Sequence, residues 1–420
     1  MARAGTREPL ARRPHDRQAL VVMTLGHAVQ HFYVAGLAVT YPFVVADLHV
    51  SYAVLGAVLT AAGIVGGALQ GAAGLLRRAG ARSILGAQNV GLTVAALLAA
   101  VAPGFALFAG ARVLGAAASW PQHPVGSAYL SERFPHRRAT VLSWHTAGGS
   151  IGTVSVPLAV AAVIAVAGWR WALVALAGAL GLGALLVAVA LPREHHHLAI
   201  GETAHPAVPV RDLLKRRQVR AVLVASTIAA GGRGLGTLST YIPADLRTHL
   251  NLPAITVGAV FTAVMAASVA GPILGGSLGD RFGRRRTLVV TYLAGAAALV
   301  AFGLLGADLA LLFPVGIALG LLAYTESPLL QAVFSDLTED GTPRTTFGLY
   351  FAIAYGVGSL WTAALGWIID TFGFAAAFGT MAASFVVAGL VVAVWAGPPA
   401  GESAGPAGPA GPAPPAPPAG

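Results

Sequence analysis

Apolar positions in this chain run in long blocks, not in the alternating or two-in-seven patterns of soluble strands and helices. Blocks of about twenty nearly uncharged residues recur along the sequence, and that length in helical form crosses the hydrocarbon core of a bilayer. Twelve crossing helices are expected, at about 19–45, 52–76, 83–102, 105–130, 139–167, 169–191, 219–244, 254–278, 287–306, 309–335, 345–369 and 374–396. Most breaks are short: Asp47 to Ser51 after the first span, Pro103-Gly104 after the third, and only Gly168 to Trp171 between the fifth and sixth. The longest polar interval, 192–218, divides the spans into six and six. The expected organisation is an N-terminal tail (1–18), a six-helix bundle (19–191), a central loop (192–218), a second six-helix bundle (219–397) and a Gly-Pro-Ala tail (398–420) read as disordered.

Composition agrees. Of 420 residues, 56% are hydrophobic and 10% charged, and the mean hydropathy is +0.74. Soluble domains carry about 25% charged residues, so a soluble enzyme and a disordered chain are both excluded. The net charge of +10 would suit nucleic acid, but its distribution reports topology instead. Of the 26 Lys and Arg, 22 fall on one side of the predicted spans, in the N-terminal tail, the even-to-odd loops and the central segment. The positive-inside rule then puts both termini in the cytoplasm and the chain in the cytoplasmic (inner) membrane as a multi-pass protein. No nucleic-acid partner is expected. The Arg-rich leader before the first span looks like a signal peptide, but the apolar run is too long and is interrupted by His27, Gln30 and His31. There is no cysteine, so disulfides and thiolate chemistry are excluded. The run His195-His196-His197 in the central loop reads as solvated. No metal site and no cofactor are expected.

The two halves resemble each other at a shift of roughly 205 residues. Gly168-Trp169-Arg170-Trp171 opens span six and Gly373-Phe374-Ala375-Ala376 opens span twelve. The loop Arg77-Arg78-Ala79-Gly80-Ala81-Arg82 corresponds to Asp280-Arg281-Phe282-Gly283-Arg284-Arg285. A duplicated bundle puts a binding site between the halves near the bilayer midplane. The sharpest local motif is Gly276-Ser277-Leu278-Gly279-Asp280-Arg281-Phe282-Gly283-Arg284-Arg285-Arg286. It is similar to the signature loop Gly-x-Leu-x-Asp-Arg-x-Gly-Arg-Arg of the major facilitator superfamily. That resemblance covers residues 18–397. It implies an all-α membrane fold of twelve helices, two six-helix bundles related by a pseudo-two-fold axis, with Gly276, Asp280, Arg281, Gly283 and Arg284 as a cytoplasmic gating latch. The first-half copy departs from the pattern, with Arg77 where the family has Asp.

Within the superfamily the chain looks most like fosmidomycin-resistance-type exporters. The matching segments are Gly26-His27, Tyr41-Pro42, Ser51-Tyr52 with Leu55-Gly56, Gln122-His123-Pro124, and Gly148-Gly149-x-x-Gly152 ending in Pro157. Three positions depart: His31 and Val125 stand where that type usually has acids, and Val156-Pro157 replaces Gly-Pro. Arg112-Val113-Leu114 resembles the fourth-span motif of the superfamily, followed by Gly115-Ala116 in place of Gln-Gly.

Ionisable groups inside a bilayer cost about 2.5–3.5 kcal/mol each on insertion scales and mark function. Seven occur: His27 and His31 in span one, Arg112 and His123 in span four, His145 in span five, Arg233 in span seven and Glu326 in span ten. The resemblance implies that spans one, four, seven and ten line the cavity, and six of the seven lie there. Arg112, Ser119 and His123 form one helical stripe. Gln30 lies beside the two span-one histidines, Tyr241 continues the Arg233 face, and Gln331 lies near Glu326. Arg233 and Glu326 are expected to face each other, with Glu326 as the coupling carboxylate, or else as half of a static packing pair. His27 and His123 are expected at similar depth, either handling substrate or protons or bonding helices together. For Arg112 the alternative is snorkelling to the outer surface.

No phosphate-cradling Gly-Lys-Ser loop, nucleophile elbow or His-Glu-x-x-His helix occurs, so no enzyme is expected. The reading is a monomeric secondary transporter. It moves a small organic solute by alternating access, as efflux against proton entry, with the solute, protons and the lipid bilayer as its partners. The alternatives are an uptake symporter or facilitator, and, from another class, a non-transporting sensor or assembly factor with the same fold.

Overall fold

The computed structural model describes residues 15–71, 80–192, 210–338 and 349–395. Residues 1–14, Arg77 and Arg78, the His195-His196-His197 run, Arg344 and the tail from 398 lie outside the described residues. Among those described, every regular element is helical. In chain order they are α1 (Asp16–Asp47), α2 (Tyr52–Gly71), α3 (Ala81–Ala100), α4 (Phe105–Ser119), α5 (Gln122–Arg133), α6 (Arg138–Ala167), α7 (Trp169–Ala190), α8 (Val210–Lys215), α9 (Arg217–Ala229), α10 (Ser239–Ala244), α11 (Ala254–Phe282), α12 (Arg284–Leu304), α13 (Leu309–Ala323), α14 (Glu326–Asp336) and α15 (Leu360–Trp395). The stretch expected as the central loop therefore carries the short α8, and the seventh span begins at Arg217.

Ten helical stretches among the described residues are long and apolar enough to cross a bilayer. Two further crossings follow from their geometry. Leu349–Val394 has 46 residues, which at 1.5 Å each would reach roughly 69 Å, twice a bilayer core. Gly373, at φ 86° and ψ 174°, breaks it into two. The fourth crossing, expected as one helix over 105–130, is instead α4 and α5 joined through Trp120 and Pro121. Pro121 and Pro124 remove two backbone donors there, so one continuous ladder is not available.

The duplication seen in the sequence has a conformational counterpart. Gly168 (φ 85°, ψ 170°) and Gly373 (φ 86°, ψ 174°) occupy equivalent positions and share a backbone region open essentially to glycine alone. The break at Trp120–Pro121 recurs as Tyr324–Thr325 between α13 and α14. In both halves the third span packs on the sixth and the second on the fourth: α3 on α7 and α2 on α4, then α12 on α15 and α11 on α13. Span one crosses span five closely, because Gly148 and Gly152 abut the Thr24 and Ala28 carbonyls with no room for a Cβ.

The halves meet along two seams. On one, α2 faces the eleventh span. A Cβ on Gly56 would lie 2.4 Å from the Thr362 carbonyl oxygen. The Thr60 hydroxyl donates to Ser359 O at 2.7 Å, and Asp370 accepts from the Tyr52 and Ala53 amides at 3.0 and 2.7 Å. The Tyr52 and Thr248 hydroxyls meet at 2.6 Å. On the other seam, Gly258 of α11 packs on Pro157 and Ala161 of α6. The Tyr52, Asp370 and Gly258 contacts border the turns at 47–52, 167–169 and 249–254, the ends remote from the basic loops, and the α2 seam continues inward through Thr60–Ser359 to Gly67 against Gly356. At the basic-loop end, among the described residues, Arg133 pairs with Asp16 at 2.8 Å and Arg284 with Asp336 at 2.6 Å, each within one half.

Candidate functional site

Among the described residues, each half holds a buried cluster of functional interest built from ionisable groups. In the second half it is built on three interrupted helices. α9 ends at Ala229. The chain then runs through Gly231-Gly232-Arg233, where Arg233 is extended (ψ 133°), into a π-turn over Gly234–Leu238. Gly234 lies flat against the Tyr324 ring, 2.3 Å from where a Cβ would sit, so this break requires glycine. α14 begins at Glu326, directly after the Tyr324–Thr325 break, which places the carboxylate in the first turn, the favourable end of the helix dipole.

All three nitrogens of the Arg233 guanidinium are engaged. Its Nε donates to Glu326 Oε1 at 2.7 Å and its Nη1 to the Ala354 carbonyl at 2.9 Å. Its Nη2 donates to Ser226 O at 2.9 Å and Oγ at 3.1 Å. Ala354 sits in the π-helical turn Ala352–Val357, whose wider ring leaves carbonyls free to turn inward. The Tyr355 ring lies 5.6 Å from the guanidinium, and the Tyr292 hydroxyl donates to Glu326 Oε2 at 3.1 Å. Arg233 is 4% exposed and Glu326 0%, so this is an ion pair shielded from water and held from four spans.

The first-half group consists of imidazoles. His27 stacks on His145 with ring centroids 4.2 Å apart, and meets His31 at 4.7 Å and His123 at 5.0 Å edge-on. The His27 Nδ1–H donates to the His145 carbonyl at 2.7 Å, and the His145 Nδ1–H to the Met23 carbonyl at 3.2 Å. His31 Nδ1 lies 2.7 Å from Thr153 Oγ1, and that hydroxyl donates to Gly149 O. The proton between them must therefore belong to His31. All three rings thus carry the proton on Nδ1 and present a bare Nε2. For His27 and His145 that Nε2 is buried without a partner. The sequence reading expected no metal ligands. Yet one ring nitrogen from each of His27, His31 and His123 falls within 4.8 Å of the others.

The remaining expected site residues are dispersed. Gln30 is buried with its side-chain oxygen unpartnered. Arg112 does not snorkel: its guanidinium lies 5.9 Å from the Tyr33 ring and contacts Tyr33 and Tyr41 of α1. Ser119 ends α4, with its hydroxyl 3.5 Å from Ala116 O. Tyr241 is fully buried and donates to the Thr362 carbonyl at 2.5 Å, within its own half. Gln331 bonds Ser327 at 3.1 Å. In the expected latch, Gly283 (φ 92°) makes the turn, Gly276 faces open space, and Arg281 folds over Phe282 at 5.1 Å. Arg284 spans Asp280 at 3.4 Å and Asp336 at 2.6 Å. His145, Thr153, Ser226 and Tyr292 complete the two groups and were not assigned from sequence. His145 was visible there as a charge-capable residue in span five. The other three look like ordinary transmembrane residues.

A family model described as Major Facilitator Superfamily matches residues 23–244 and 222–419. The fold is similar to a bacterial homolog of the human lysosomal transporter Spinster in an inward-facing, occupied conformation (17% identity, TM-score 0.68, covering 91% of this chain and 96% of that one). It is also similar to the D323A mutant of the nucleoside transporter NupG (13% identity, TM-score 0.75, covering 90% and 98%). No curated protein matches the sequence.

Proposed function

Because the chain belongs to the Major Facilitator Superfamily, a family of multi-pass membrane transporters, we propose that it exports a small organic solute by alternating access, coupled to proton entry through Glu326. The observation that supports this reading is the isolated Arg233–Glu326 pair, at a break in span seven and at the start of a helix in span ten. A carboxylate with no access to water holds its charge only while a cation faces it. When Glu326 takes a proton, Arg233 loses its ionic partner but keeps its carbonyl acceptors at Ala354 and Ser226. The pair therefore has two arrangements, one charged and one neutral at the glutamate. A rocking motion of the halves that exposes Glu326 first to one side and then to the other would carry that proton across.

The seams supply the complementary half of the cycle. Among the described residues the halves meet at the ends remote from the basic loops and along α2 as far as Gly67 against Gly356, whereas the Arg133–Asp16 and Arg284–Asp336 pairs stay within each half. Taking the Lys/Arg asymmetry to set both termini in the cytoplasm, we assign this arrangement to an inward-facing state, in which a cytosolic solute would enter between the halves. Location in the cytoplasmic membrane and efflux as the direction are part of the proposal, supported by the Lys/Arg asymmetry and by the exporter-like segments around His27, His123 and Gly149. His27, His31 and Arg112 in the first half, with Arg233 and Glu326 in the second, are the groups assigned to solute and protons. Asp280 and Arg284 are assigned to gating.

The experiment has two stages. Exported metabolites are compared in cells with and without the protein to find the solute. Proteoliposomes are then loaded with it and given a pH gradient. Wild type should move solute against its gradient while protons run down. Glu326→Gln should lose gradient-driven transport and keep solute exchange. Full gradient-driven transport by Glu326→Gln would remove the coupling role.

A further inference from the structure

We infer that the first-half imidazole cluster is a binding site for a divalent transition cation of the zinc and nickel class, with His27, His31 and His123 as its ligands. Nitrogen donors from three neutral imidazoles suit these ions and not calcium or magnesium, which require oxygen. Three features of the cluster match what such a site needs.

The first is proximity from two helices. His27 and His31 lie one turn apart on α1, and His123 enters from the start of α5. Their donor nitrogens are within 4.8 Å of one another. A tetrahedral ion with metal–nitrogen bonds of about 2.0–2.1 Å separates its donors by about 3.3 Å. The rings therefore need to converge by about 1.5 Å at most, within reach of small side-chain rotations.

The second is the tautomer. A ligating histidine normally gives its other ring N–H to a carbonyl, hydroxyl or carboxylate, which fixes both the orientation and the free lone pair. His27 does this with the His145 carbonyl and His31 with Thr153 Oγ1, each at 2.7 Å. His27 Nε2 is buried with no partner. A bare acceptor of that kind has a cost in a folded interior unless a ligand meets it.

The third is space. A Cβ on Gly149 would lie 2.9 Å from His27 Nε2 and 3.0 Å from His31 Nε2. The missing side chain thus leaves open the place on which both nitrogens converge. The cluster runs from buried His27 through half-buried His31 to exposed His123, which gives an entry path. Three protein ligands leave the fourth position for water or for a polar group of a bound solute.

The inference does not depend on the transport reading, because binding is read at equilibrium. The full chain is purified without a polyhistidine tag, in a background carrying His195→Ala, His196→Ala and His197→Ala to remove the loop histidines. It is titrated with zinc alone, and separately with nickel alone, against a chromophoric chelator. One ion per chain is expected. Thr153→Val, which removes only the support of His31, should weaken binding about 10–100-fold. His27→Ala, His31→Ala and His123→Ala should each weaken it further, and Gly149→Ala should abolish it. X-ray absorption on the zinc-loaded parent should show three imidazole nitrogens, a readout that requires no ligand variant to fold. Absence of zinc binding by the parent, unchanged affinity in the triple His→Ala variant, or an oxygen-dominated shell would each overturn the site.

Discussion

Replacing Asp370 by Asn perturbs one contact that holds the two halves together. The Asp370 carboxylate accepts the Tyr52 and Ala53 amides at 3.0 and 2.7 Å. These belong to the first turn of α2, so one half caps a helix of the other. Asn keeps one acceptor oxygen and turns an NH2 toward the second amide, so one charged hydrogen bond is lost. Such bonds contribute about 1.5–3 kcal/mol. Asp370 is solvent-exposed, so the lower figure applies, about 1.5 kcal/mol. At 1.4 kcal/mol per decade, the equilibrium should move about tenfold away from the conformation closed at this end. The chain has no cysteine, so Ser131→Cys and Ser335→Cys can carry a spin-label pair across the basic-loop end. Asp370→Asn should shift the measured distance distribution toward the shorter population. An unchanged distribution in a folded variant would refute the reasoning that this carboxylate joins the halves.

Three further outcomes are expected. Arg233→Ala should destabilise the protein by about 3–5 kcal/mol by stranding Glu326. The double change Arg233→Met with Glu326→Leu should recover most of that, and a double change no more stable than Arg233→Ala in thermal unfolding would show the pair to be worth more than its removal. Gly56→Ala should hinder closure of the seam, because the added methyl would sit 2.4 Å from the Thr362 carbonyl oxygen; cysteine accessibility along α2 should rise, and wild-type protection would count against the close approach. Arg284→Ala removes the bridge between Asp280 and Asp336. Since these groups are exposed, stability should change by about 1 kcal/mol or less while the transport rate falls; a normal rate would relieve Arg284 of its gating role.

Much of the architecture was legible because length and hydrophobicity dominate in lipid. Gly168 and Gly373 were visible as matched span openers, and their shared backbone angles give that match a physical basis. The Arg233–Glu326 contact was anticipated because a charge in a span must find a partner. The interruptions were not legible. Span seven was read as continuous through Arg233, since membrane helices tolerate glycine; only the Tyr324 ring lying on Gly234 makes the break necessary. The fourth span was read through Pro121 for the same reason. His145 lies in span five, outside the four spans that the resemblance implies line the cavity, yet its backbone carbonyl orients His27. Tyr292 and Ser226 carry no sequence signal that separates them from packing residues.

The seam between α2 and the eleventh span has a further consequence. Beside the Tyr52–Phe374 ring contact, it is sealed by small hydroxyls and bare main chain at Thr60, Ser359 and Thr362. Parting it leaves those groups thirsty, and several solvent molecules must enter to quench them. Opening at that face should therefore slow as water activity is lowered by excluded osmolytes such as sucrose, tying the pace of the cycle to hydration as well as to cargo.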